Sequence, residues 1–122
     1  MNKISVIVPC FNEEESLPAF YEETQKVFKE INNIDYEFIF VDDGSGDDTL
    51  ETIKRLAEND YRVRYVAFSR NFGKESAMYA GLKEAVGDYC VIMDADLQHP
   101  PALLPAMYEA VSSEGYDLCG GL

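Results

Sequence analysis

Short apolar segments alternate with helical segments along the chain, and this alternation restricts the folds that it can adopt. The predicted strands are rich in β-branched and aromatic residues and cover residues 4–8, 36–41, 63–68 and 89–93. Each is followed by a segment with apolar residues at helical spacing, and a fifth strand is predicted to begin within residues 116–119. Repeated strand–helix units predict an α/β fold: a Rossmann-like, doubly wound, mostly parallel sheet with helices on both faces.

Prolines and small residues add expectations about individual elements. Pro9 is expected to end the first strand, because proline cannot donate a hydrogen bond to a neighbouring strand. The third predicted helix is rich in small residues such as Ala77 and Gly81, so we expect it to lie close to the sheet. Pro100 and Pro101 predict the start of a fourth helix, where the missing N–H is tolerated.

Polar clusters follow four of the predicted strands. They occupy residues 9–15, 42–43, 70–74 and 94–98. The carboxyl ends of parallel strands meet at one edge of a sheet, and ligands of such sheets bind there, near the point where the strand order reverses. Four polar clusters at one edge favour a metal-assisted site for a phosphate-containing ligand.

The fourth cluster contains two aspartates one residue apart. Because side chains alternate along a strand, Asp94 and Asp96 are expected to point in nearly the same direction. Neighbouring carboxylates repel each other unless a cation lies between them, and Mg²⁺ or Mn²⁺ prefers oxygen ligands. The alternative interpretation is a solvated turn, in which aspartate is common.

Composition and charge exclude several functional classes. The 122 residues are sufficient for one domain, and the net charge of −13 argues against nucleic-acid binding. Residues 61–83 reverse this balance, with five basic side chains against Glu75. We interpret Arg62, Arg64 and Lys83 as ordinary surface charges.

Several familiar sites and segments are missing from the sequence. No G-x-G-x-x-G follows the first strand and no P-loop motif occurs, which argues against dinucleotide redox enzymes and P-loop NTPases. The single histidine, His99, excludes a histidine-rich zinc site, and we interpret it as a solvated loop residue. No apolar run reaches the length of a membrane span and no secretory leader precedes the first strand, so we expect a cytoplasmic location.

Taken together, the four clusters resemble the motifs of family 2 inverting glycosyltransferases of the GT-A fold. The segments that carry this resemblance read VPCFNEE at 8–14, VDDGS at 41–45, SRNFGK at 69–74 and MDADLQ at 93–98. Within the family, the chain is most similar to the polyprenyl-phosphate sugar transferases, of the dolichol-phosphate mannose synthase type. The resemblance covers essentially the whole chain and implies that residues 1–122 are the nucleotide-sugar-binding part of a truncated GT-A domain.

The resemblance implies roles in donor binding for the first two clusters. Pro9, Phe11 and Glu13 would line the pocket for the base and ribose. Asp42, which follows the second predicted strand, would recognise the base. Asp43 would support the loop to which both residues belong.

The resemblance also implies a metal and phosphate site in the later clusters. Asp94 and Asp96 would act in catalysis. Asp96 would ligate Mg²⁺ or Mn²⁺ at the diphosphate, with Gln98 in the same metal shell, and Asp94 would reach this ion, its waters or the ribose. Ala95, between the two aspartates, would border the donor. Lys74 and Arg70 would lie near the donor phosphates or the acceptor phosphate.

The implied reaction is transfer of a hexose from a UDP- or GDP-sugar to an acceptor, with inversion and divalent-metal assistance. The implied acceptor is a lipid phosphate, most specifically a polyprenyl phosphate, or a glycan. The acceptor half would lie beyond residue 122, and membrane association, at the cytoplasmic face, would depend on segments outside this chain. The exposed edge of an incomplete sheet would favour homo-oligomers.

Two alternatives come from other functional classes. One is a receiver-like signalling domain, which would need an aspartate at the end of the third strand, where this chain has Phe68 and Ser69. The other is a non-catalytic nucleotide-binding or interaction fragment that lacks the acceptor half.

Overall fold

The sheet of this protein is parallel and four-stranded in the computed structural model, which describes residues 2–31 and 33–96. The strands are β1 (Asn2–Cys10), β2 (Ile34–Asp42), β3 (Val63–Ala67) and β4 (Tyr89–Ile92). Their order is β3-β2-β1-β4, so the direction of strand progression reverses between β1 and β4. The predicted parallel α/β fold is therefore confirmed.

Helices cover both faces of this sheet. They are α1 (Leu17–Glu30), α2 (Thr49–Asn59) and α3 (Lys74–Glu84). One core lies between the sheet and α1 and α2, and it includes stacked or edge-on pairs among Phe20, Phe28, Phe38 and Phe40. A smaller core under α3 contains Ile39, Val41 and Ala77. Alternate residues of β2 thus face opposite cores, as the pleat of a strand requires.

The small residues of α3 bring this helix close to the sheet, as the sequence predicted. Gly81 is buried, and a methyl group at its Cα would lie 2.5 Å from Cγ2 of Ile7. This spacing leaves no room for a larger side chain at residue 81.

The prediction that Pro9 ends the first strand is wrong, because β1 continues to Cys10. The carbonyl of Ile7 accepts the N–H of Met93 on the β4 side, whereas the carbonyl of Cys10 accepts the N–H of Asp43 on the β2 side. Since successive residues of a strand alternate between its neighbours, Pro9 faces the β4 side, where pairing has ended at Ile92. The missing N–H of proline therefore costs no ladder hydrogen bond.

The interpretation of Arg64 as an ordinary surface charge is also wrong. Its Nη1 donates to Oε1 of the buried Glu37 at 2.9 Å, and its Nη2 lies 3.1 Å from Oε2 of Glu84. Burial alone would raise the pKa of Glu37, but hydrogen bonds from Ser5 and Val86 together with Arg64 hold it below its ordinary value. This network joins β1, β2, β3 and the segment before β4 at the amino ends of the strands.

Arg62 also has specific contacts. Its guanidinium lies 4.8 Å from the ring centroids of both Tyr36 and Tyr61, and its Nε is 3.5 Å from Oδ1 of Asp35.

Several predictions concern residues outside the described part of the chain. These are the helix starting at Pro100, the strand at 116–119, and the positions of Gln98 and His99. Within residues 2–31 and 33–96, none of the helices combines the length and apolar character needed to span a bilayer.

Candidate functional site

A cavity of about 220 Å³ opens at the carboxyl ends of the strands, beside the reversal of strand order between β1 and β4. Its described lining combines apolar side chains with four carboxylates and one ammonium group. The lining residues are Pro9, Cys10, Phe11, Glu13, Asp43, Lys74, Asp94 and Asp96. Residues from the loops after β1, β2 and β3 and from the segment after β4 meet here.

The loop after β1 is held by the loop after β2. Asn12 adopts a positive φ of 56°, its side-chain oxygen accepts the N–H of Gly46, and its own N–H donates to Oγ of Ser45. The N–H of Glu13 donates to Oγ1 of Thr49 at 2.8 Å. These bonds keep residues 11–13 at the cavity, where the Phe11 side chain remains 46% exposed.

Asp43 organises the loop after β3. Its buried carboxylate accepts the N–H groups of Phe72 at 2.7 Å and Gly73 at 3.1 Å, and the side-chain amide of Asn71 at 3.2 Å. The two loops approach so closely that a Cβ on Gly44 would lie 2.3 Å from the carbonyl carbon of Arg70. Asp43 thereby sets the start of α3 and the position of Lys74.

Asp94 and Lys74 form an ion pair across the cavity. The distance from Nζ of Lys74 to Oδ1 of Asp94 is 2.8 Å, and the Asp94 side chain is 22% exposed. Asp96 also lines the cavity and is exposed, whereas the Ala95 side chain between them is packed in the core. The segment after β4 therefore presents two carboxylates on one side and an apolar anchor on the other.

Negative charge dominates this cavity. Burial and then the carboxylate of Asp96 raise the pKa of Glu13, and Asp94 acts in the same direction. Burial, with the charges of Glu13 and Asp42, also raises the pKa of the Cys10 thiol well above its ordinary value. A phosphate-containing ligand would meet repulsion here unless a cation accompanied it.

The carboxylates suit a divalent ion whose coordination shell is supplied partly by the protein and partly by a bound substrate. Within the described segments no three His, Cys, Asp or Glu side chains are grouped to hold a metal ion by themselves. Mg²⁺ characteristically uses one or two carboxylates and completes its shell with water and substrate phosphates. Asp94 and Asp96 supply that number.

The structure brings most of the predicted site residues together at the cavity. Asp42 and Ala95 are both buried and are not among the lining residues; Oδ1 of Asp42 accepts the N–H of Ser45 at 3.3 Å, and Ala95 packs in the core instead of bordering the donor site. Arg70 lies over the ring of Phe72 at 4.6 Å, and Gln98 lies outside the described residues. Cys10 also lines the cavity and was not predicted, although its position between two predicted lining residues could have indicated it.

The sequence profile described as "Glycosyl transferase family 2" matches residues 5–122. The chain belongs to this family. It is 43% identical over 121 residues to undecaprenyl-phosphate 4-deoxy-4-formamido-L-arabinose transferase of Proteus mirabilis, covering 98% of this chain and 36% of the relative. It is 46% identical over 107 residues to the bactoprenol glucosyl transferase of Shigella phage SfV, covering 88% of this chain and 34% of the relative.

Solved structures confirm the GT-A fold. A mannosyltransferase from Pyrobaculum calidifontis, in complex with GDP-Man and Mn²⁺, superposes with a TM-score of 0.71 at 28% identity, over 91% of this chain and 32% of that one. Glucosyl-3-phosphoglycerate synthase from Mycobacterium tuberculosis, in complex with UDP, gives 0.69 at 26% identity, over 90% and 40%. The chain spans about a third of the length of the curated relatives it matches.

Proposed function

We propose that this chain forms the donor-binding part of a glycosyltransferase that transfers a hexose, with inversion, from a nucleotide-diphosphate sugar to a polyprenyl phosphate. The observation that carries the proposal is the cavity at the carboxyl ends of the strands, where Asp94 and Asp96 meet Glu13 and Lys74. The names of the two relatives, which refer to undecaprenyl phosphate and bactoprenol, support this class of acceptor.

The donor nucleotide would bind along the loop after β1. Pro9 and Phe11 offer an apolar surface for the base, and Glu13 would approach the ribose. One structural neighbour is complexed with GDP-Man and another with UDP, which supports a donor that carries one of these two nucleotides.

Asp94 and Asp96 would hold Mg²⁺ or Mn²⁺ next to the donor diphosphate, and Gln98 would join this shell. Such an ion, when bound, stabilises a leaving diphosphate as a Lewis acid. The ammonium of Lys74 would add a second positive charge at the same place.

The acceptor would need no general base. An oxygen of its phosphate attacks the anomeric carbon from the face opposite the diphosphate, and the breaking carbon–oxygen bond leaves its electron pair on the diphosphate. A phosphate is already ionised at neutral pH, whereas a hydroxyl acceptor would require a carboxylate to remove its proton.

The experiment that tests the donor site is thermal unfolding with UDP, GDP and their sugars, with and without Mn²⁺ or Mg²⁺. A ligand at ~100 times its dissociation constant stabilises by about 2.7 kcal/mol, which corresponds to several degrees in the midpoint. We expect a shift with one of the two nucleotides that requires the divalent ion.

Two variants test whether the shift depends on the proposed ligands. Asp96→Asn should abolish it, whereas Asp88→Asn, which removes the same charge at the opposite end of the sheet, should keep it. An equal shift in both variants would refute the assignment of the metal site, and no shift with any nucleotide in the unaltered protein would refute donor binding.

A further inference from the structure

The ion pair between Lys74 and Asp94 joins two groups that the proposed reaction would use separately. Lys74 is the first residue of α3, Asp94 follows β4, and their charged atoms are 2.8 Å apart. A divalent ion would require the carboxylate of Asp94, and a donor diphosphate would attract the ammonium of Lys74. Each ligand therefore competes for one partner of an existing contact.

Lys74 is the single cationic side chain in the described lining of the cavity. The carboxylate of Asp43 is already engaged by the N–H groups of Phe72 and Gly73. The ammonium thus offsets part of the negative charge of Glu13, Asp94 and Asp96, and it contacts Asp94 directly.

The Lys74 side chain can change partners without disturbing the fold. It is 59% exposed, and lysine carries its charge on a flexible four-carbon stem. An ammonium and a divalent ion on the same carboxylate would repel each other, so occupancy of Asp94 by one disfavours the other.

We propose that Lys74 is an exchangeable counter-ion: it holds Asp94 in the donor-free protein and moves to the donor diphosphate when a divalent ion takes Asp94. This inference rests on the proposed function and extends it, because it makes binding of metal and nucleotide mutually dependent. By itself, the protein binds the ion weakly; with the diphosphate present, Lys74 has another anion to contact and Asp94 is released.

The proposal predicts opposite changes in two affinities when Lys74 loses its charge. Lys74→Met should bind Mn²⁺ about fivefold more tightly without nucleotide, a factor that corresponds to about 1 kcal/mol and to the contribution of one partly exposed ion pair. The same variant should bind the nucleotide less tightly at saturating Mn²⁺. A lysine that only contacts phosphate would change the second affinity and leave the first unaltered.

The matched control is Lys83→Met. Lys83 lies on the same helix, about 14 Å along its axis from Lys74, with its ammonium over the ring of Tyr79. Because this distance exceeds the screening length at physiological salt, the control removes the same net charge without affecting the cavity. Lys74→Arg keeps the positive charge and should keep Mn²⁺ binding near that of the unaltered protein.

Mn²⁺ binding can be followed by the loss of the free-ion signal in electron paramagnetic resonance, and nucleotide binding by calorimetry. The proposal would be overturned if Lys74→Met bound Mn²⁺ no more tightly than Lys83→Met. It would also be overturned if Lys74→Met bound no Mn²⁺ at all. This measurement uses no nucleotide, so it is independent of the test of donor binding. A failure of the unaltered protein to bind any nucleotide would refute the proposed function, while the Mn²⁺ comparison would still decide the role of Lys74.

Discussion

Asp43→Asn should detach the loop after β3 from the sheet, because one buried carboxylate holds three donors of that loop. The N–H groups of Phe72 and Gly73 and the side-chain amide of Asn71 lie between 2.7 and 3.2 Å from its oxygens. Asparagine replaces one of these oxygens with an NH₂ group, so at least one donor faces another donor in either orientation of the amide.

The size of the expected loss of stability follows from the burial and charge of Asp43. Asp43 is 3% exposed, and hydrogen bonds to a charged group contribute about 1.5–3 kcal/mol each. We therefore expect the free energy of unfolding to fall by about 2–4 kcal/mol. The control is Asp48→Asn, which removes the same charge from an exposed side chain that makes no capping hydrogen bond, and it should change stability by less than about 1 kcal/mol.

Urea unfolding and amide hydrogen exchange measure the two consequences. Asp43→Asn should lower the urea midpoint without changing the slope, and the amides of Phe72 and Gly73 should lose protection. If these two amides kept their protection and the midpoint matched that of Asp48→Asn, the proposed role of Asp43 in holding the loop would be refuted.

Two further predictions concern residues that lie close to other segments. Gly44→Ala should destabilise the protein by about 2 kcal/mol or more, because φ is +72° there and the new methyl group would meet the backbone of Arg70. Gly46→Ala is the control, because the space around the Cα of Gly46 is open, and it should cause no such loss. Equal urea midpoints for the two variants would contradict this reasoning. Glu37→Gln should cost about 1–3 kcal/mol at pH 7, since its carboxylate is buried against the partly exposed Arg64. Because the folded pKa of Glu37 lies below the ordinary value of 4.5, its contribution is present above pH 4.5 and is lost as the pH falls through the folded pKa. The difference between the two proteins in urea midpoint should therefore shrink at acidic pH, and a constant difference would contradict the assignment.

Much of the architecture was predictable because it depends on local patterns. Apolar strands and amphipathic helices are encoded by spacings of two and about 3.6 residues, and their alternation leaves few topologies besides a parallel sheet with covered faces. The same topology predicts that the ends of separate strands meet at one edge. The cavity lined by Phe11, Asp43, Lys74 and Asp94 agrees with that expectation.

The sequence alone therefore determined the α/β architecture and the edge of the sheet that carries the polar residues. Only the tertiary structure decided how neighbouring residues are used: Asp42 is buried beside Ser45, whereas the adjacent Asp43 holds the loop after β3. It also paired Lys74 with Asp94, twenty residues further along the chain, and placed Pro9 inside a strand. These outcomes depend on strand register and on which side of each strand has a partner, and a one-dimensional pattern carries neither of these.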